Sequence, residues 1–289
     1  MILDRKGNKV SGNETQNNLL DTLYSTSLGR CALKILTCKF VSVIGGLYMS
    51  SPLSTAHINS FIKNNDIDMT QYEEKRYHSY NDFFTRKIKT GKRYIDQDYS
   101  VLISPADSKL TYYPIEEDCK FTVKNTVYNV SDFLEDEQLA KEYNGGSLLI
   151  FRLTVDDYHR YCFIDDGSII LNKYIPGVFH TVNPIANDYY PIYKTNSREV
   201  SIINTENFGE IAYVEVGAMM VGRIENHKIE YGKKGMEKGF FKFGGSTIVL
   251  LLKKDQIRLD SDIISNSKNN IETRVLYGER IGVKEGKNG

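Results

Sequence analysis

The segment Lys238-Gly-Phe-Phe-Lys-Phe-Gly-Gly-Ser-Thr-Ile-Val-Leu-Leu-Leu252 sets a hydroxyl at the mouth of an apolar run. Gly244 and Gly245 reach backbone angles closed to other residues, including positive φ. Gly245 also has no side chain to shield its carbonyl, and a strand starting at Thr247 would anchor the atoms that follow. The arrangement suits attack of the Ser246 hydroxyl on the Gly245 carbonyl. Geometry held in that way replaces roughly 7–11 kcal/mol of barrier. On its own a Gly-Gly-Ser-Thr turn is more often structural.

Three further segments carry reactive side chains. Arg152-Leu-Thr-Val-Asp-Asp-Tyr-His-Arg-Tyr-Cys162 leaves the apolar run Leu148–Leu153 and gathers Tyr158, His159 and Arg160. Histidine is the proton carrier suited to neutral pH, although a lone histidine at a strand end also serves as a hydrogen-bonded structural residue. Ile103-Ser-Pro-Ala-Asp-Ser108 sets Asp107 on a turn, where a carboxylate equally caps the turn. Ile175-Pro-Gly-Val-Phe-His-Thr-Val-Asn-Pro184 fixes a loop with Phe179 and His180 among apolar neighbours. That pattern fits a lipid-facing pocket and a rigid hairpin equally well.

The elements that must position these groups fall into two textures. Residues 18–90 read as helical. Leu28, Ala32, Ile35, Leu36, Phe40, Val43, Ile44 and Leu47 share one arc at 3.6 periodicity, with Arg30 and Lys34 opposite and Gly45-Gly46 as a stop. Such a helix packs on its own core or lies in a membrane interface, and the two are compatible. Further helices are predicted over Ser54–Lys63 and Tyr80–Lys89. From Val101 onward the pattern predicts strands at Ser147–Leu153, Ile169–Tyr174, Ile211–Val216 and Thr247–Leu252, and a helix near Val130–Tyr143. The fold class is α+β: an N-terminal helical, membrane-associating region over 1–95, then a β-rich, mainly antiparallel catalytic domain over 96–289.

Composition narrows the function. Lys+Arg and Asp+Glu number 37 each, so no global field favours nucleic acid, and attraction to an anionic membrane must be local. Cys31, Cys38, Cys119 and Cys162 form no CxxC pair, so neither a metal site nor a disulfide framework is expected. The polar start lacks the apolar stretch of a signal peptide, and no run reaches the length of a spanning helix.

Taken in order, the motifs resemble the phosphatidylserine decarboxylase family from about Tyr80 to Ile281. They are Phe83-Phe-Thr-Arg86, Ser104-Pro-Ala-Asp107, Asp157-Tyr-His-Arg160, Ile175-Pro-Gly177 with Val182-Asn-Pro184, and Asn207-Phe-Gly209. Val216-Gly-Ala218, Val221-Gly222, Gly239-Phe-Phe-Lys-Phe-Gly-Gly-Ser-Thr247 and Gly278-Glu279 continue the series. The resemblance implies a proenzyme that cuts itself between Gly245 and Ser246 through an Asp–His–Ser arrangement, with Asp107 and Ser246 as matching members. It implies a pyruvoyl group made from Ser246, which forms a Schiff base with the serine amine of phosphatidylserine and releases CO2 and phosphatidylethanolamine. By the same analogy His159 handles the substrate proton, while Arg160, Tyr158 and Phe179 are expected substrate contacts. The α and β chains of the cut precursor stay together, a homodimer is expected, and the protein attaches peripherally to the cytoplasmic face of the cell membrane.

Three departures stand out. Cys162 occupies the place of the family's usual second histidine, so the cleavage base falls to His159, His180 or a perturbed Cys162 thiolate, with the histidines preferred. Ser108 follows Asp107 where glycine is usual, and Arg223 follows Val221-Gly222 where serine is usual. Two competing readings remain: a catalytically inactive lipid-binding relative that does not cut itself, and a serine hydrolase. The latter is weakened because Ser246 opens a strand without a nucleophile-elbow motif.

Overall fold

Runs that are apolar at every position become strands buried on both faces, and these form the middle of the protein. The computed structural model describes residues 1–10, 22–26, 29, 33, 39–123, 126–178, 192–217, 224–243 and 246–286. Its strands begin with β1 (Ile2–Leu3), β2 (Val101–Ile103), β3 (Ser108–Pro114), β4 (Lys120–Val123), β5 (Thr126–Asn129) and β6 (Ser147–Leu153). Next come β7 (Arg160–Cys162), β8 (Gly167–Ile175), β9 (Arg198–Thr205), β10 (Gly209–Gly217), β11 (Ile224–Asn226) and β12 (Tyr231–Gly232). The series ends with β13 (Glu237–Phe241), β14 (Ser246–Leu252), β15 (Ile257–Leu259), β16 (Glu272–Val275) and β17 (Arg280–Lys284).

Nine strands form one sheet in the order β1-β16-β3-β6-β14-β10-β9-β8-β12. All its pairings are antiparallel except β1 with β16. The fold is therefore α+β with a mainly antiparallel sheet, and all four strands expected from the sequence are present. Side chains alternate between two cores. Ile150, Val214, Val249 and Leu251 face a core closed by Tyr24, Leu33, Phe133 and Leu134. Phe151, Tyr213, Ile248 and Leu250 face the other, closed by Leu102, Tyr161, Phe241 and Ile281. Ile248 through Leu252 are at most 1% exposed. Burying five such side chains is worth about 10 kcal/mol in gross terms, which holds β14 firmly.

The helices depart more from expectation. The Lys39–Met49 helix runs through Gly45-Gly46, because glycine costs a helix only about 1 kcal/mol and the next bonds continue, Ser50 N–H donating to Gly46 O at 3.0 Å. Much of the predicted 28–44 arc lies outside the described residues. Its described members Val43, Ile44 and Leu47 do not pack on a core but are 59%, 50% and 69% exposed. Ser54–Lys63 is realised as a 3-10 turn over Pro52–His57 and a helix over Ile58–Asn64. The predicted Tyr80–Lys89 helix stops at Phe84, because the chain then pairs with its own upstream segment: Glu73 N–H donates to Lys87 O at 2.8 Å, and Tyr72 bridges Ile88. The Val130–Tyr143 helix is two, broken at Glu135 with φ 48° and restarted by the Asp136 cap. Among the described residues no helix is long and apolar enough to cross a membrane.

Candidate active site

Antiparallel pairing brings motifs from distant parts of the chain to one rim of the large sheet. Ser246, first in β14, is in register with Leu153, last in β6, and with Gly217, last in β10. Ser108 opens β3 opposite Val275, the end of β16. Asp107 therefore enters at this rim, and the Thr154–His159 turn and the Gly278-Glu279 motif leave from it. Ile175, last in β8 and opposite Arg198, delivers the Pro-Gly turn to the same rim. At Gly177 a Cβ would lie 2.3 Å from Thr195 O, so only glycine lets these two segments cross.

Ser246 and His159 are both fully buried. Ser246 Oγ and His159 Nε2 have no hydrogen-bond partner, so they are not bonded to each other in this structure. His159 Nδ1 lies 3.0 Å from Asp157 O. A carbonyl only accepts, so Nδ1 carries the proton and Nε2 presents a free lone pair. Burial pushes the imidazole down to about 3, against the Asp157 bond that favours its charged form and with the Arg86 charge adding to the lowering. The Phe84 ring, 4.1 Å from the imidazole between centroids, supplies part of that dry wall. His159 is thus a neutral acceptor throughout the physiological range. Removing a proton from a nearby hydroxyl is the chemistry such a nitrogen offers.

The turn that carries His159 is held by a buried ion pair. Lys109 Nζ bonds both oxygens of Asp157 at 2.7 and 2.6 Å and Thr154 Oγ1 at 2.5 Å. Asp157 also accepts the Thr154 N–H at 2.7 Å. Asp157 thereby fixes both the turn and, through its carbonyl, the tautomer of His159.

Asp107 does not orient His159 here. Its carboxylate accepts from Arg93 at 2.6 and 3.2 Å and from the Tyr277 N–H at 2.7 Å. Arg160 is also committed: Nε and Nη2 donate to Thr85 O at 2.9 and 2.7 Å, and Nη1 to Glu237 at 2.7 Å. A guanidinium so engaged ties β7 to the end of the Tyr80–Phe84 helix and leaves no free fork for a phosphate. Tyr158 is buried between the Tyr72 and Tyr277 rings, and its hydroxyl accepts the Ile88 N–H at 3.4 Å. Cys162 is fully buried on β7, and burial pushes its thiol up to about 12, so it stays protonated and is no base. Phe179, His180 and Gly245 lie outside the described residues.

Sequence reasoning missed two groups. Arg93, the partner of Asp107, carried no motif. Lys238 and Glu215 form a buried pair at 2.5 Å, and Lys238 also donates to Asn226 Oδ1 at 3.0 Å. Glu215 sits opposite Ile248, one pleat from Ser246 and on the same sheet face. Burial pushes its carboxyl up, and Lys238 opposes that shift. The available signal was a glutamate inside the apolar run Ile211–Gly217, since a buried charge demands a partner. Gly239, next to Lys238, leaves room for that cluster: a Cβ there would lie 2.7 Å from Tyr161 OH and 2.8 Å from Asn226 Oδ1.

Comparison with known proteins places the chain in a family. A family model described as phosphatidylserine decarboxylase matches residues 80–283. The phosphatidylserine decarboxylase proenzyme 2 of Clostridium acetobutylicum is 51% identical over 268 residues, covering 92% of each chain. The phosphatidylserine decarboxylase proenzyme of Ruminiclostridium cellulolyticum is 42% identical over 271 residues, covering 91% of this chain and 90% of its own. That of Fusobacterium nucleatum is 41% identical over 288 residues, covering 97% and 96%.

Proposed function

Because the chain belongs to the phosphatidylserine decarboxylase family, we propose that it is a proenzyme that cuts itself between Gly245 and Ser246. The cut protein then converts phosphatidylserine to phosphatidylethanolamine and CO2. One observation carries the reading: Ser246 Oγ and His159 Nε2 are buried without hydrogen bonds, at the rim where the other motif segments meet. Buried polar atoms are nearly always paired, so two unpaired reactive ones in one region point to chemistry.

His159 Nε2 takes the Ser246 hydroxyl proton as Oγ attacks the Gly245 carbonyl carbon. The amide C–N bond breaks, the proton passes to the Ser246 nitrogen, and an ester joins the two halves. Loss of the Ser246 Hα with cleavage of Cβ–Oγ releases the Gly245 carboxylate, and one water then displaces ammonia. Ser246 fits this conversion because it opens a strand, so a new chain end there leaves the sheet intact. Seven residue pairs on each side of β14 hold the fragment of 44 residues, Ser246 to Gly289, in place after the cut. The pyruvoyl ketone so formed supplies a sink for the electron pair freed with CO2. His159 remains at the rim as a neutral group able to relay the proton that replaces CO2. Asp107 comes to the imidazole only if Arg93 releases it, so the triad is a proposal for a rearranged rim. The exposed Val43, Ile44, Leu47 and Leu53 support peripheral contact with a bilayer.

Intact mass of the purified protein tests the reading. A 44-residue fragment with a blocked, ketone-bearing N-terminus is expected, and Ser246→Ala stays whole and inactive. A whole wild-type chain points to an inactive lipid-binding relative, and cut, active Ser246→Ala overturns the mechanism.

A further inference from the structure

Arg86 is 2% exposed, yet its Nε and Nη1 have no hydrogen-bond partner. Nη2 makes two long bonds, 3.3 Å to Tyr72 OH and 3.4 Å to Asp156 O. Among the described residues no carboxylate pairs with it. The faces of the guanidinium are covered, by the Tyr72 ring at 4.4 Å and the Phe83 ring at 4.9 Å. Aromatic faces attract the charge but cannot accept its in-plane N–H donors. A buried, permanently charged group with bare donors is costly unless an anion completes it.

The location says which anion. Arg86 follows the Tyr80–Phe84 helix, and Phe84 of that helix lies against His159. Asp156, whose carbonyl Arg86 reaches, belongs to the turn that carries His159. Phe243, three residues before Ser246, packs on Phe84 at 5.3 Å and donates its N–H to Asn81 Oδ1 at 2.9 Å. The cation therefore borders the reacting region.

We propose that Arg86 receives the phosphodiester of the lipid headgroup. This rests on phosphatidylserine being the substrate. The headgroup carries two anions, and chemistry chooses between them. A cation on the departing carboxylate would stabilise the ground state more than the transition state, in which that charge moves to carbon, and would slow decarboxylation. A cation on the phosphodiester anchors the substrate without that cost. Around Arg86 the dry aromatic walls strengthen such charge-assisted bonds. With Arg160 engaged by Glu237 and Thr85, Arg86 has the free donors this task needs.

Titration calorimetry with dioctanoyl-phosphatidylglycerol, a phosphodiester lacking serine, tests this on the purified protein. The readout needs neither self-cleavage nor turnover, so it is separate from the mass test of those. Arg86→Gln should bind at least about tenfold more weakly than wild type, the loss of a charge-assisted hydrogen bond. Binding of O-octylserine, which has amine and carboxylate but no phosphate, should change less than about twofold, within the span of neutral contacts. Equal affinity of both proteins for the phosphodiester overturns the proposal, as does no binding by wild type. A matching loss on O-octylserine also overturns it, by assigning Arg86 to the carboxylate. If Arg86→Gln does not fold, Arg86→Lys is measured instead. Lysine keeps the charge without the planar fork and must weaken phosphodiester binding in the same direction.

Discussion

The two ends of strand β14 are built to opposite rules. At the Leu252 end the chain closes through tight, paired turns: Gly146 N–H donates to Tyr143 O at 3.0 Å, Ile115 N–H to Gly146 O at 2.9 Å, and Lys253 N–H to Gln256 Oε1 at 3.0 Å. At the Ser246 end, hydrogen bonding is left incomplete. Apart from Tyr143 OH, the unpaired buried side-chain atoms of the described residues belong to Arg86, His159, Glu215, Asn226, Ser246 and Thr247. One end has its backbone turns paired, and the other gathers most of the unpaired buried side-chain atoms. The strand between them is sealed on both faces, so its apolar packing sustains the unsatisfied end.

Substitutions at the two ends should separate rate from stability. His159→Gln keeps a polar side chain of similar size and replaces the basic imidazole nitrogen with a non-basic amide. Self-cleavage, followed by gel after synthesis, should slow by about 100-fold or more with the fold preserved. Cleavage at the wild-type rate would remove His159 from the mechanism. Lys238→Met leaves Glu215 buried without its cation, and urea unfolding should show a loss of about 3–5 kcal/mol. Lys238→Met with Glu215→Leu should recover most of that loss. If it does not, the pair has no compensating role.

Leu250→Ala, in the sealed middle, should cost about 2–5 kcal/mol, yet the folded fraction should still cut itself normally. Acid provides a gentler test. The His159 imidazole is held far below its ordinary 6.5, so the unfolded chain binds a proton that the folded chain refuses. Its contribution is full above pH 6.5 and falls by about 1.4 kcal/mol per unit as pH drops toward 3. His159→Gln should flatten that stretch of the stability curve. An unchanged acid limb would mean the imidazole is not dry in solution. Smallest of all, Lys253→Ala at the finished end breaks half-exposed pairs with Glu142 and Glu210 and should change stability by less than about 1 kcal/mol.

Legibility followed burial. Ser147–Leu153 and the run after Ser246 are apolar at nearly every position, so composition alone marked them as interior strands. The Tyr80–Lys89 stretch looked helical by local pattern, but pairing of Tyr72 with Ile88 stopped the helix at Phe84. A contact across so many residues leaves no local trace. The same holds for the site. Motifs singled out Ser246, His159 and Asp107 as candidates, but the capture of Asp107 by Arg93 and of Arg160 by Glu237 left no mark in the sequence. Charged side chains choose partners by proximity in the fold, and spacing along the chain does not encode that.

The amino-acid order by itself determined the kinds of element, the hydroxyl after two glycines, and the family to which the chain belongs. Only the tertiary structure decided that segments far apart in the chain end on one rim, which nitrogen of His159 is bare, and which cations are already taken. The reason is that covalent chemistry and local periodicity are written residue by residue, whereas burial and pairing exist only once strands are laid side by side.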